Sequence, residues 1–330
     1  MTNIANFFAI LLLALCIPAG AQGIHYSISP LNSEQVLKEA HLRQSVDFLT
    51  REENGGRAFG SEGGGQAAGW LADSFREMGL QPLGGTRLHS FFTAAGVGRN
   101  VIGFLSGTAW PTRYVVVLAH FDNIGFLGDA YYPGADSNAS GVAALLELGR
   151  MFRQMQACKK TYGHGLILVA LDGKEKDLAG AQALWNALSQ GRLTDPVSGN
   201  PIYASQISLV VNLDQLGSTL APLTKGNPNY LMMLSDDFPQ GRSILESVNR
   251  VQHIGLELSF DYYGSKDFTK LFYRRISDQS VFLEHGIPAV MFTSGITYNN
   301  NKPEDNAASL DYGVLRKRVQ LIFYWLDKVL

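Results

Sequence analysis

The strongest constraint on this chain is a set of short, nearly unbroken apolar runs, three of which end in a chemically capable residue. RYVVVLAH (113–120), GLILVALD (165–172) and ISLVVNLD (207–214) close on His120, Asp172 and Asp214. RYVVVLAH is of the continuous type expected for strands of a parallel sheet covered on both faces. YLMMLS (230–235) and IPAVMFT (287–293) read as further strands, as do RLHSFFT (87–93) and NVIGFLSG (100–107).

Helical patterns alternate with these runs. Residues 33–52 read as an amphipathic helix capped by Asn32 or Ser33, with Leu37, Ala40, Leu42, Val46 and Leu49 as its apolar stripe. A second helix is expected at about 66–78, stopped by Gly79. Asn138 can cap SGVAALLELGRMFRQM, and others fall near 178–189, 239–254 and 312–328. The alternation predicts a three-layer α/β/α sandwich around a mixed, mostly parallel central sheet. Residues 22–330 read as one domain, with a surface insertion near 190–206.

Residues 1–21 stand apart. An apolar run from Phe7 to Pro18 precedes Ala19-Gly20-Ala21, a signal-peptide pattern too short to span a membrane, so export to periplasm or medium is expected. Cys16 falls inside that segment, leaving Cys158 alone and no intrachain disulfide. A net charge of -2 with no basic block argues against nucleic acid as a partner.

Ligands of open α/β sheets bind beyond the carboxyl ends of the strands. His120, Asp172 to Glu175 and Asp214 fall at that edge, and Asp136 precedes a helix start in PGADSNASG. Singly, each has a bland explanation as a turn, cap or strand-boundary residue. Together, His-x-Asp, Asp, Glu and Asp in this order form a zinc-hydrolase pattern, since zinc takes imidazole nitrogen and carboxylate oxygen.

The segments AHFD, PGADSNASGVAALLEL, DGKE, NLDQLGS, GIPAVMFT and NKPEDN resemble the secreted co-catalytic zinc aminopeptidases. That is metallopeptidase family twenty-eight, which also includes glutamate carboxypeptidases and glutaminyl cyclases. The likeness runs from about Arg57 to the C-terminal helix. It implies a zinc-exopeptidase fold and hydrolysis of N-terminal residues from peptides by zinc-activated water. By the resemblance, His120 and Asp214 hold one zinc, Asp136 bridges, and Asp122 orients His120 from behind. Glu175 and a late histidine would hold a second zinc. The acid before Glu175 would be the general base, and Ser277, Asp278 and Gln279 would belong to the cleft.

Two positions depart from this pattern. The base position is Lys174, and the late histidine position is Asn301. Ser137 and Gln279 are milder departures, and His285 is a conceivable stand-in ligand. Asp136, Glu175 and Asp214 with Lys174 carry a formal charge of -3 + 1 = -2, which one zinc neutralises. One zinc on His120, Asp136 and Asp214 is therefore expected, with the Lys174 ammonium near the vacated second position and paired to Glu175. Glu175 could then serve as a substitute base. The glutaminyl cyclase branch would need the opposite half of the site. The expected function is an exported aminopeptidase-type zinc hydrolase of altered chemistry; the alternative is a silent relative that binds peptides or N-termini in the same cleft.

Overall fold

In the computed structural model, residues 36–109, 112–218, 227–236, 238–262 and 264–330 are described. The expected signal peptide and the cap at Asn32 or Ser33 lie outside them.

In chain order the strands are β1 (Leu88–Thr93), β2 (Gly96–Leu105), β3 (Tyr114–His120), β4 (Gly125–Leu127), β5 (Ala130–Tyr132) and β6 (Gly165–Leu171). They continue as β7 (Leu193–Thr194), β8 (Pro201–Ile202), β9 (Ile207–Leu213), β10 (Tyr230–Ser235), β11 (Glu257–Ser259) and β12 (Ala289–Thr293). The α-helices are α1 (Glu39–Leu49), α2 (Glu62–Glu77), α3 (Ser140–Ala157), α4 (Ala179–Ser189), α5 (Pro239–Val251), α6 (Lys266–Tyr273), α7 (Gln279–Glu284) and α8 (Tyr312–Val329).

Eight strands form one sheet in the order β1-β2-β6-β3-β9-β12-β10-β11. Its centre is parallel: β6, β3, β9 and β12 run together, β2 and β10 run against them, β1 pairs antiparallel with β2, and β11 pairs parallel with β10. Alternate residues of the central strands feed two cores. Val115, Val117 and Ala119 pack with α1, α2, α3 and α8 on one face. Val116 and Leu118 meet Leu184 and Leu188 of α4 and Phe282 of α7 on the other. Two-sided cover is why these strands carry no polar alternation. The register sets His120 opposite Leu171 and Leu118 opposite Asn212, so the ends of β3, β6 and β9 open on one rim.

Several local expectations shift. The first helix is shorter than expected and Ala40 is exposed, although Leu42, Val46 and Leu49 are buried as the stripe requires. The second begins at Glu62, with the Ser61 hydroxyl accepting from Gly64 N at 3.0 Å. Its run of three glycines masks the start in sequence. Gly63 is needed there because a Cβ would lie 2.0 Å from the Asn54 carbonyl oxygen. The 190–206 stretch forms the β7–β8 ribbon, pinned where the Tyr114 hydroxyl donates to Asp195 at 2.8 Å.

Arg57 ties the site's side of the molecule together. It is fully buried, and its guanidinium donates to the carbonyls of Phe121 (2.5 Å), Leu49 (2.6 Å), Pro133 (2.8 Å) and Gly134 (2.9 Å). Arg57→Met keeps much of the apolar stem and strands these acceptors. It should lower unfolding free energy by about 3–5 kcal/mol, read from urea denaturation.

Candidate metal and hydrolytic site

The parallel rim gathers the chemistry. His120 is the last residue of β3, Asp214 follows β9, and Lys174 and Glu175 sit in the turn after β6. Asp136 lies in the irregular turn Ala135–Ala139 ahead of α3. His120 Nε2 stands 3.6 Å from Asp214 Oδ1. The nearer partner of His120 Nδ1 is the main-chain oxygen of Asp122, at 3.1 Å; the Asp122 carboxylate is 3.7 Å away. That carboxylate instead accepts from the backbone nitrogens of Lys174 (3.0 Å) and Glu175 (3.1 Å), seating the turn that carries them.

Lys174 points inward. Its side chain is 17% exposed and Nζ lies 3.3 Å from Glu175 Oε1. Burial favours losing its proton, but Asp214, Glu175 and Asp278 outweigh that and hold its pKa above the ordinary lysine value. Asp214 responds in kind. Burial would raise its pKa, yet Lys174, His120 and the Ser277 hydroxyl (2.6 Å to Oδ2) hold it well below the usual carboxylate range. His120 is pushed down by burial and by Lys174, but Asp122 and Asp214 win and raise it to about 10. Burial, with Asp305 nearby, lifts Asp136 to about 7. Asp278 also rises to about 7 through burial, with Asp122 and Asp214 adding to the rise.

Ser277, Asp278 and Gln279 are buried, so they form a floor rather than an open cleft wall. Asn212 Nδ2 donates to Ser277 Oγ (3.0 Å) and Gln279 Oε1 (2.7 Å), and the Ser277 hydroxyl passes the contact on to Asp214. Asn301 is exposed, in a turn with positive φ. Its neighbour Asn300 reaches inward, accepting from Gln215 Nε2 at 2.6 Å. Asn300 lines a cavity of ≈ 50 Å³ with Lys174, Asp214 and the apolar side chains of Tyr262, Phe272 and Ile276. His285 stacks on Trp185 and bonds the Val281 carbonyl, so its ring is engaged on the α4–α7 face. A larger cavity of ≈ 630 Å³ is lined by Val115, Ser208 and Ala289 at the opposite, amino-terminal rim; none of the site residues lines it.

Sequence reading assigned no role to Asp305. Its carboxylate accepts from the backbone nitrogens of Asp136 (2.7 Å) and Ser137 (3.0 Å). The N-cap of α3 is Ala139 rather than the expected Asn138, which instead ties the rim together: its Oδ1 takes Gly141 N and Gln215 N, while Nδ2 donates to the Leu213 carbonyl.

The profile of peptidase family M28 matches residues 100–326 of the chain, more than half of its length. The chain belongs to peptidase family M28. This is a zinc metallopeptidase family, and named relatives carry that label. A protein of Pyrenophora tritici-repentis described as a probable zinc metalloprotease is 28% identical over 225 residues, covering 63% of this chain and 46% of that protein. The chain thus spans about half the length of the curated relatives it matches. Among solved structures, a Macrostomum lignano glutaminyl cyclase aligns with TM-score 0.68 at 17% identity, covering 90% of this chain and 91% of that one. BSAP, a zinc aminopeptidase from Bacillus subtilis, aligns with TM-score 0.65 at 14% identity, covering 89% and 95%. At these identities the likeness shows the M28 fold, a mixed α/β sandwich, and the two branches fit it almost equally.

The family implies zinc, and the residues can be tested against it. Among the described residues, no three His, Cys, Asp or Glu side chains are already drawn into a metal-ready group. Yet His120 Nε2, Asp136 Oδ2 and Asp214 Oδ1 are buried without hydrogen-bond partners. Buried polar atoms without partners are costly, and of these three only His120 Nε2 and Asp214 Oδ1 stand close together, at 3.6 Å. The donor types of this half, one imidazole and two carboxylates, are ones that zinc takes. The other half fits poorly, since Glu175 faces an ammonium and Asn301 offers no imidazole.

Proposed function

We propose that this M28 chain is an exported aminopeptidase-type hydrolase that works with a single zinc held by His120, Asp136 and Asp214. The observation that carries the reading is the inward-turned Lys174 ammonium, 3.3 Å from Glu175 in the half of the site where a second metal would sit. A fixed cation beside Glu175, Asp214 and Asp278 supplies positive charge there without a metal.

When bound, zinc supplies Lewis acidity, which polarises a carbonyl and makes water nucleophilic near neutral pH. The chain's own residues do the rest. Asp122 fixes the turn bearing Lys174 and Glu175, and Ser277 fixes Asp214. The rim carboxylates are where a peptide with a free amino terminus would dock. Glu175 is the carboxylate placed to accept a proton from water, provided it exchanges its contact with Lys174. Tyr262, Phe272 and Ile276 line the small cavity beside Lys174 and Asp214.

The same ion pair favours a second reading, a relative that binds peptide N-termini without cleaving them. Loss of a positioned base typically forfeits about 10²–10⁴ in rate. Elemental analysis should give one zinc per chain; two tightly held ions would sink the single-metal assignment. On aminoacyl-arylamides, chelator-sensitive hydrolysis lost in His120→Ala supports the enzyme, and a flat trace from zinc-loaded protein supports the silent binder.

A further inference from the structure

The margin of the sheet opposite β11 carries a groove with no part in the chemistry of the rim. β1 is an edge strand and pairs with β2 alone. The Ile102 amide donates to the Arg87 carbonyl at 2.8 Å, so by antiparallel alternation the odd-numbered residues of β1 bond to β2. The amides and carbonyls of Leu88, Ser90 and Phe92 therefore point away from the sheet. Leu88 is satisfied locally by the Thr86 hydroxyl, at 3.2 Å from its nitrogen and 3.4 Å from its oxygen. Ser90 and Phe92 are exposed, and among the described residues nothing bonds to their outward groups. The Phe92 side chain is 83% exposed. Nothing in LHSFFT blunts the edge, since it holds no proline, lysine or acidic residue.

Beside this edge lies a cavity of ≈ 440 Å³, walled on its other side by α4. Ala179, Gln182, Ala183, Asn186 and Ala187 recur at i, i+3, i+4, i+7 and i+8, so one face of that helix fronts the strand. Its alanines leave room for a further chain. Arg192 lines the same cavity, and no carboxylate of the described residues does. His89 lines it too, with Nδ1 buried and unpartnered. Burial, and then Arg192, lower the His89 pKa, so the guanidinium stands near the amino-terminal end of β1. There the Leu83–Thr86 turn is tied to β7, Gly84 N donating to the Thr194 carbonyl at 3.1 Å.

We propose that the β1–α4 groove binds the carboxyl-terminal segment of an extended peptide, which adds to β1 as an antiparallel strand with its terminal carboxylate at Arg192. Main-chain bonds to Ser90 and Phe92 supply the pairing, as in other cases of strand addition. Direction follows from charge. β1 runs from His89 toward Thr93, so an antiparallel chain ends beside His89 and Arg192. A parallel one would bring its ammonium to that guanidinium. A second copy adding through its own β1 would bring no carboxylate from that strand, since LHSFFT has none. None of His120, Lys174, Glu175 and Asp214 lines this groove, so the proposal is independent of zinc.

The test uses a pooled library of N-acetylated hexapeptides with free carboxyl termini, because acetylation keeps them from being substrates of an aminopeptidase. Peptides retained by the immobilised full chain are resynthesised as acid and as carboxamide and titrated by calorimetry. The acid should bind, and the amide about 10–100-fold more weakly. Arg192→Gln should cost the acid the same factor and leave the amide unchanged. Ser90→Pro removes an outward N–H while sparing the bonds to β2, and should weaken both forms. Bound acid should also slow hydrogen exchange at the Ser90 and Phe92 amides. Retention of no peptide overturns the proposal, as does equal affinity for acid and amide. A dimer in sedimentation that Ser90→Pro dissociates gives the edge to a second copy and overturns it too. Should Ser90→Pro fail to fold, exchange on the native chain decides: Ser90 and Phe92 amides already protected without peptide, or unchanged with it, refute strand addition.

Discussion

Lys174→Glu combined with Asn301→His should raise bound zinc from one to two per chain and accelerate peptide hydrolysis by about 10²–10⁴-fold. The substitution restores a carboxylate where Lys174 now sits, removing the ammonium and with it the ion pair to Glu175. Glu175 is then free to coordinate. The histidine supplies a nitrogen from the turn between Asn300, which lines the cavity, and Asp305, which grips the Asp136 loop. Lys174→Glu alone should do less, because it adds negative charge without adding the nitrogen. The gain is measured as zinc per chain after dialysis and as kcat/KM on an aminoacyl-arylamide. A double variant that still holds one zinc, or holds two with unchanged rate, refutes the account of what Lys174 replaced.

Zinc affinity and metal-free stability should both depend steeply on pH, in ways that follow from who holds protons at the rim. With His120 raised to about 10, the metal-free imidazole is charged at neutral pH and must release its proton to bind metal. Asp136, raised to about 7, is partly protonated there too. Between pH 6 and 7.5 the zinc association constant should climb roughly tenfold per pH unit for each displaced proton. Stability of the metal-free chain runs the other way. Asp136, Asp172 and Asp278 all have folded values near 7, above their unfolded values. A raised carboxyl stabilises the fold below its unfolded pKa and loses that contribution as pH rises through the folded one. The Asp214 contribution has the opposite sign: its depressed value stabilises the fold above about 4 and is lost on acidification. Over pH 4–7 the raised group of three dominates. Unfolding free energy should fall there by roughly 1.4 kcal/mol per pH unit for each group that titrates. Chemical denaturation in chelator at pH 5 and pH 7.5 checks it; equal stability at the two would contradict the assignment. Zinc should flatten the profile, since the metal holds His120 and Asp136 deprotonated in both conditions.

Much of the fold was legible because it is written in local periodicity. Continuous apolar runs announced β3, β6 and β9, and their terminal His120, Asp172 and Asp214 marked the rim before any pairing was known. Lys174 and Asn301 stood out against the family pattern, and the inward turn of Lys174 onto Glu175 is what the charge count led one to expect. What escaped was non-local. Asp305 sits in a polar turn and looks like a loop former, since nothing near it in sequence reveals the two amides it holds. Arg57 reads as part of a glycine-rich link, yet it is buried under four carbonyls. Helix α6 hides in an aromatic stretch, SFDYYGSKDF and beyond. It leaves Phe268 46% and Leu271 61% exposed. The Ser277–Gln279 floor was anticipated as part of the site but not as buried, and its hydrogen bonds run to the Asn212 amide of β9, which nothing near it in sequence reveals.

The Lys174–Glu175 pair has a consequence for supply. A metal ion is acquired from outside and can be stripped; a lysine arrives with the polypeptide and cannot be scavenged. On the proposed single-zinc reading, half of this rim is provisioned at synthesis, and only the other half depends on what the surroundings offer. If it takes one zinc as proposed, a chain built this way has a lower metal quota than a two-zinc relative. It can complete its electrostatics where zinc is scarce, at the expense of the carboxylate that a two-metal site would keep free.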